Sequence, residues 1–239
     1  MNTPLENFFP AIFCLTLERR EDRREHAKTV FRKIGIEPHC VRWIFGLDKP
    51  LDHTGKPNGN TGCTAGHRMI LDEIVNRQIP KALVFEDDFD IAFTDPLQCQ
   101  RANKNPALGF RLDPQKWFAA TEPEIPSDWD ILYLGGQYAE MPQKRVSAHL
   151  IRTGRMLTTS SYGITLAFAR KLRPSIEGIG PIDCLYSGFL REAHSYCLEP
   201  RIFNQYASVS DLRDEFSNPA IAMTDQNHVK ALDEGRVYK

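Results

Sequence analysis

Residues 81–93 read KALVFEDDFDIAF: an apolar run, then Glu86, Asp87, Asp88 and Asp90 within five positions. The run Lys81 to Phe85 is short, apolar and β-branched enough to read as a buried strand. In an open α/β sheet, the residues just past a strand's carboxyl end face the crevice where ligands bind. Carboxylates crowded there raise one another's pKa unless a cation compensates them. Hard oxygen donors of this kind suit magnesium or manganese, which take their remaining ligands from substrate phosphates. The plain alternative is a solvated acidic turn whose carboxylates cap nearby backbone amides.

Working outward, the segments on both sides alternate strand and helix. Residues 11–17, AIFCLTL, read as a first strand, and Glu18 to Ile34 as a helix burying Ala27, Val30, Phe31 and Ile34. Residues 40–47 read as a second strand. The run 55–62, GKPNGNTG, reads as a loop. Ala65 to Asn76 reads as a helix with Met69, Ile70, Ile74 and Val75 inward, capped by Asn60 or Thr61. Further strands are expected within 128–136, 160–176 and 194–205. This order predicts an α/β fold with a Rossmann-like, mostly parallel central sheet and helices on both faces. A single domain over residues 1–239 is expected, with 94–127 as an insertion or lid and 212–239 as a polar tail.

Cations are expected on the same sheet edge. Counted at 100° per residue, Arg20 and Arg23 share the side of Ala27, Val30 and Phe31 in the helix's first turn. A guanidinium there is placed for a diphosphate, or pairs with Asp22 or Glu18. Arg24, Lys28 and Arg32 recur on the outer face among Glu21 and Glu25 and read as a solvated ion-pair face. His67 either approaches a phosphate or base, or packs within the fold. Asp183 begins a predicted helix, as a cap or a general base.

The chain has 239 residues, 41% of them hydrophobic, and a formal net charge of −1. That balance gives no pull toward nucleic acid, and no stretch approaches the roughly 18 apolar residues of a spanning helix. The amino terminus lacks a basic region and a small-residue cleavage site, so no secretory signal is expected. Six scattered cysteines without a CxxC pair argue against a structural zinc framework and predict a reduced, cytoplasmic protein.

Four segments together resemble glycosyltransferase family 25, the bacterial lipooligosaccharide galactosyltransferases and related collagen galactosyltransferase domains. IFCLTLERREDRREHAKTVFRKIGIE (12–37) is similar to the family's opening strand, arginine-bearing turn and helix. GNTGCTAGHRMILDEIV (59–75) resembles its Gly-Cys-x-x-Ser-His helix start, and ALVFEDDFDI (82–91) its strand with Glu-Asp-Asp. DWDILYLGG (128–136), SSYGITLAFARKL (160–172) and PIDCLYS (181–187) resemble the later strands and the Pro-x-Asp helix start. Two positions depart from the family: Gly66 stands where it has serine, and Thr16 where it often has asparagine.

The resemblance implies a GT-A fold, a UDP-sugar donor, a saccharide acceptor, and Mn2+ or Mg2+. It implies Asp88 as metal ligand, with Asp87 and Asp90 adding carboxylates and Glu86 and Asp87 supporting the ion or meeting the ribose. Leu15, Thr16, Arg19 and Arg23 would border the nucleotide, with His67 beside them. Asp183 would lie near the acceptor and is the candidate base for an inverting transfer, most simply of galactose. An acceptor on a membrane lipid would fit a cytoplasmic protein docked peripherally on the inner face. Two other readings are kept: a glycosyltransferase-like binding domain without turnover, and a magnesium-dependent phosphatase of the haloacid dehalogenase type built on Asp88-Phe89-Asp90.

Overall fold

The computed structural model describes residues 2–92, 113–138, 144–176, 180–206, 208–209, 211 and 216–217. The helices are α1 (Pro4–Phe8), α2 (Glu21–Lys33), α3 (Gly59–Asn76), α4 (Pro114–Thr121), α5 (Leu166–Leu172) and α6 (Ile182–Leu190). The strands of the central sheet are β1 (Ala11–Leu17), β2 (Val41–Gly46), β3 (Lys81–Glu86), β5 (Ile131–Tyr133), β7 (Lys144–Arg145), β8 (Leu150–Arg152), β10 (Ser161–Thr165) and β11 (Ser195–Leu198). Three two-stranded ribbons join β4 (Phe89–Ile91) to β12 (Phe203–Gln205), β6 (Gln137–Tyr138) to β9 (Met156–Leu157), and β13 (Ser208–Val209) to β14 (Phe216–Ser217).

The sheet order is β2-β1-β3-β10-β5-β11-β8-β7. Strands β10 and β8 run against both their neighbours, while the other six share one direction. The expected mostly parallel sheet is therefore present, with two reversed strands, β10 between β3 and β5 and β8 between β11 and β7. Alternation along each strand sends side chains to two cores. Phe13, Leu15, Ala82 and Val84 pack with α3, α5 and α6 on one face. Ile12, Cys14, Leu83 and Phe85 pack with α1, α2 and α4 on the other.

Helix α2 starts at Glu21 rather than Glu18, because Arg20 N–H closes a turn onto Leu17 O before the helical ladder begins. Helix α3 starts earlier than read. Asn58, not Asn60 or Thr61, accepts from the amides of Asn60 and Thr61. Its first turn carries Gly62, where an added Cβ would stand 2.1 Å from the Leu47 carbonyl oxygen. Gly62, read as part of a loop, is thus the residue that lets the helix approach the end of β2. Met69 is 42% exposed and does not face inward, because His67, Ile70, Leu71 and Ile74 fill the buried stripe.

Of the expected insertion, residues 94–112 lie outside the described residues. In the remainder, α4 seats Phe118 against Phe8 and Phe9, and Gln115 donates to Ile34 O. Among the described residues, no helix is long and apolar enough to cross a membrane.

Candidate functional site

The ends of β1, β2 and β3 open into a cavity of about 680 Å³. The acidic motif is built from the strand outward. Glu86 closes β3, Asp87 and Asp88 form a two-residue turn, and Phe89 starts β4. Phe89 is fully buried, with its ring centroid 4.3 Å from that of Phe85 and 4.8 Å from that of Phe31. This aromatic anchor fixes the turn from below. From the side, β12 pairs with β4, so Tyr206 N–H donates to Asp88 O (2.9 Å) and Gln205 Nε2 donates to Asp88 Oδ1 (3.1 Å).

Arg23, in the first turn of α2, is 7% exposed and aims into the turn. Its Nη1 donates to Asp87 Oδ1 and Asp88 Oδ2, both at 3.2 Å. Thr16 Oγ1, at the end of β1, donates to Asp87 Oδ2 (2.6 Å). Two carboxylates thus share one guanidinium. Burial pushes Asp88 up to about 7, against the pull of Arg23 and with Glu86 and Asp87 adding to the rise. Burial also raises Asp87, although Arg23 and Thr16 hold it down in part.

Glu86 points to another set of partners. Its Oε1 accepts from Thr159 Oγ1 and faces His67 Nε2 at 3.1 Å. Burial works to raise Glu86, but the His67 and Thr159 contacts outweigh it and hold the carboxyl below its usual range. Behind it, His67 Nδ1 lies 2.8 Å from Tyr162 Oη, which lies 3.2 Å from Tyr186 Oη.

Across the cavity, Asp183 stands in the first turn of α6 but is not its cap, a place held by Pro181. Its carboxylate accepts from Cys184 N–H (2.7 Å) and Thr158 N–H (3.1 Å). Thr158 carries φ of 62°, a left-handed conformation rare for a β-branched residue, so the local backbone is held in an unusual shape to meet Asp183.

The structure therefore gathers Leu15, Thr16, Arg23, Glu86, Asp87, Asp88 and Asp183 around the cavity. Three expected residues lie off its wall. His67 is fully buried, with Nε2 3.1 Å from Glu86 Oε1. Arg19 stands at the rim, paired with Asp48 and with Asp211 at 2.8 Å. Asp90 lies on β4 opposite Asn204, off the cavity wall, where its Oδ1 accepts from Ile91 N–H.

Among the lining residues missed by the sequence reading are Asp48, Gln205, Tyr206 and Asp211. Asp48 carried a readable signal, since it follows the carboxyl end of β2 just as Asp88 follows β3. Asp211 binds Arg19 and Arg20 and lies 3.6 Å from Arg23.

The profile described as "Glycosyltransferase family 25 (LPS biosynthesis protein)" matches residues 9–186. The chain is 27% identical over 205 residues to the cattle (Bos taurus) "Probable inactive glycosyltransferase 25 family member 3", covering 75% of this chain and 31% of that protein. It is 26% identical over 188 residues to human (Homo sapiens) "Procollagen galactosyltransferase 2", covering 69% of this chain and 27% of that protein. The chain thus spans about a third of the length of the curated relatives it matches. Among solved structures, a glycosyltransferase involved in the glycosylation of the major capsid of PBCV-1 aligns over 85% of this chain and 95% of its own, with a TM-score of 0.39 and 8% identity.

Proposed function

The chain belongs to glycosyltransferase family 25, and from that premise we propose that it transfers a hexose, first of all galactose, from a UDP-sugar to a saccharide acceptor with inversion. The observation that carries the proposal is the placement of Asp87, Asp88 and Arg23 on one wall of the cavity and Asp183 on another.

The donor set fits a hard divalent cation. Asp87 and Asp88 share a single guanidinium, and burial, with Glu86 and Asp87 close by, pushes Asp88 up to about 7. Asp88 would hold Mn2+ or Mg2+ with support from Asp87. When bound, such an ion supplies electrostatic stabilisation to the departing diphosphate.

The chain's own residues do the rest. Leu15 and Thr16 would border the nucleoside at the end of β1. Arg23 fixes the two aspartates and adds a positive charge beside the phosphates. Asp183 Oδ would take the proton of the acceptor hydroxyl as that oxygen attacks the anomeric carbon opposite the leaving UDP. Its two backbone N–H contacts orient the carboxylate for this.

The proposal extends to a surface glycan acceptor of the lipooligosaccharide kind, met at the cytoplasmic side of a membrane. Supporting it, Phe45, Leu47 and Leu51 stand 47%, 52% and 65% exposed, and Leu47 lines the cavity. A second reading is a donor-binding domain without turnover, favoured by the inactive label of the cattle relative. Calorimetric titration with UDP, in manganese and then in EDTA, tests the site, and UDP-galactose turnover separates the readings. Metal-dependent binding with turnover supports the enzyme, and binding without turnover on any acceptor supports the second reading. Absence of UDP binding in both conditions overturns both.

A further inference from the structure

Beside the wall that holds Asp87 and Asp88 lies a different donor set. Cys63 and His67 are one turn apart on α3 and so share a face. Glu86, ending β3, meets that face. One ligand atom from each residue, a thiol sulfur, an imidazole nitrogen and a carboxylate oxygen, lies within 4.8 Å of the other two. Cys63 and Glu86 line the cavity, and His67 lies fully buried behind them. We propose that Cys63, His67 and Glu86 form a second cation site, selective for a borderline ion such as Zn2+ and separate from the hard-cation position at Asp88.

The chemistry of the donors sets the selectivity. Magnesium and manganese prefer all-oxygen ligands, whereas sulfur and imidazole nitrogen favour zinc and cobalt. Tetrahedral Zn–S, Zn–N and Zn–O bonds of about 2.0–2.3 Å bring ligand atoms closer together than 4.8 Å, so the side chains need only draw inward. Three protein ligands with a fourth position toward the cavity is the pattern of an open zinc site.

The support behind the imidazole is already built. A carboxylate only accepts, so without an ion His67 Nε2–H donates to Glu86, and Nδ1 accepts from Tyr162. Both tyrosine hydroxyls can reverse their roles. With an ion on Nε2, Nδ1–H donates to Tyr162, and Tyr162 donates to Tyr186. A hydrogen-bond partner on the far ring nitrogen is the usual second layer of a metal-binding histidine. A hydrogen-bonded core pair would need only His67 and Glu86. The thiol one turn away, open to the cavity, is what the cation site adds.

The test uses the full chain, stripped with a chelator and titrated with Co2+ as an absorbing substitute for Zn2+. Expected are one equivalent of bound Co2+ with a thiolate-to-cobalt charge-transfer band, displaced by Zn2+ and not by excess Mn2+. Cys63→Ser should lose the band and weaken Co2+ binding by more than the roughly 10–100-fold that losing a supporting partner costs. Asp88→Asn should keep the band. As a measurement on the unaltered protein, Zn2+ should slow alkylation of Cys63 and Mn2+ should not. No thiolate band, a band that survives Cys63→Ser, or a band lost in Asp88→Asn overturns the proposal. These readouts involve no sugar nucleotide, so the site can fail while the transferase reading stands.

Discussion

Replacing Arg23 with methionine keeps the apolar stem and removes the charge that two buried carboxylates share. Each contact is 3.2 Å, and a unit pair at that distance is worth about 5 kcal/mol at an effective dielectric of ~20. The guanidinium's own desolvation cancels much of that sum, and breaking a buried pair costs ~3–5 kcal/mol net. The loss has a ceiling, because a stranded carboxylate protonates instead of staying charged. Asp88, already pushed up to about 7, is the group that takes the proton. With Arg23 gone its folded pKa rises further above the unfolded value. Between pH 7 and the new pKa, the folded variant then holds a proton that the folded parent has lost. Stability of the variant therefore falls relative to the parent by about 1.4 kcal/mol per pH unit above 7. Urea melts in EDTA should show a deficit of ~3–5 kcal/mol at pH 8, narrowing towards pH 6. Arg23→Lys should recover part of it, since it restores charge without the planar fork. A variant as stable as the parent at pH 8, or a deficit that does not change with pH, would refute the assignment of Arg23 as the shared counter-charge.

Three further outcomes follow from the same geometry. A cation on Asp88 must displace its proton below pH 7, so Mn2+ affinity should fall up to about tenfold per pH unit from 7 to 5 and level off above 8; calorimetry at pH 5.5, 7 and 8 reads this, and a flat profile contradicts it. In Asp211→Asn, three arginines lose a carboxylate that stands where an anionic ligand would approach, so UDP in manganese should bind about 5–10-fold tighter, or ~1–1.4 kcal/mol, and weaker binding would give Asp211 a supporting role instead. An added Cβ at Gly66 would stand 2.4 Å from Leu15 Cδ1, so Gly66→Ser should force Leu15 to turn, with ~1–3 kcal/mol lost in urea melts and altered UDP affinity. Unchanged stability and affinity would show that Leu15 yields at no cost.

The fold was legible where the signal is local. AIFCLTL became β1 with its boundaries unchanged, and Ala27, Val30, Phe31 and Ile34 are all buried as their spacing implied. Residues 59–62 of the glycine run were misread because glycine and asparagine signal loops by propensity, whereas close approach of Leu47 O makes glycine necessary at Gly62 inside the helix. The reversed direction of β10 left no local mark. Its five residues read as a buried strand in either direction, and only pairing between β3 and β5 decides.

The candidate site divides the same way. Asp87 and Asp88 follow a strand end and line the cavity, whereas Asp90 lies off its wall because the chain re-enters a strand at Phe89 and pairs there with β12. Arg20 and Arg23 were visible as cations near a helix start, and Arg19 through the family resemblance, yet their order of importance was not. Arg23 reaches Asp87 and Asp88, whereas Arg19 pairs with Asp48 and Asp211, and Arg20 with Asp22 and Asp211. That division depends on Asp211, 188 positions beyond Arg23 in the chain (211 − 23), and no helical wheel contains it. The Glu-Asp-Asp run itself is two devices. Glu86 answers to His67 and Thr159, and Asp87 with Asp88 answers to Arg23. Charge compensation, the physical demand that the sequence made plain, is met by different partners because Glu86, still in β3, and Asp87 leave on opposite sides of the strand, while the turn brings Asp88 round to the guanidinium that Asp87 meets.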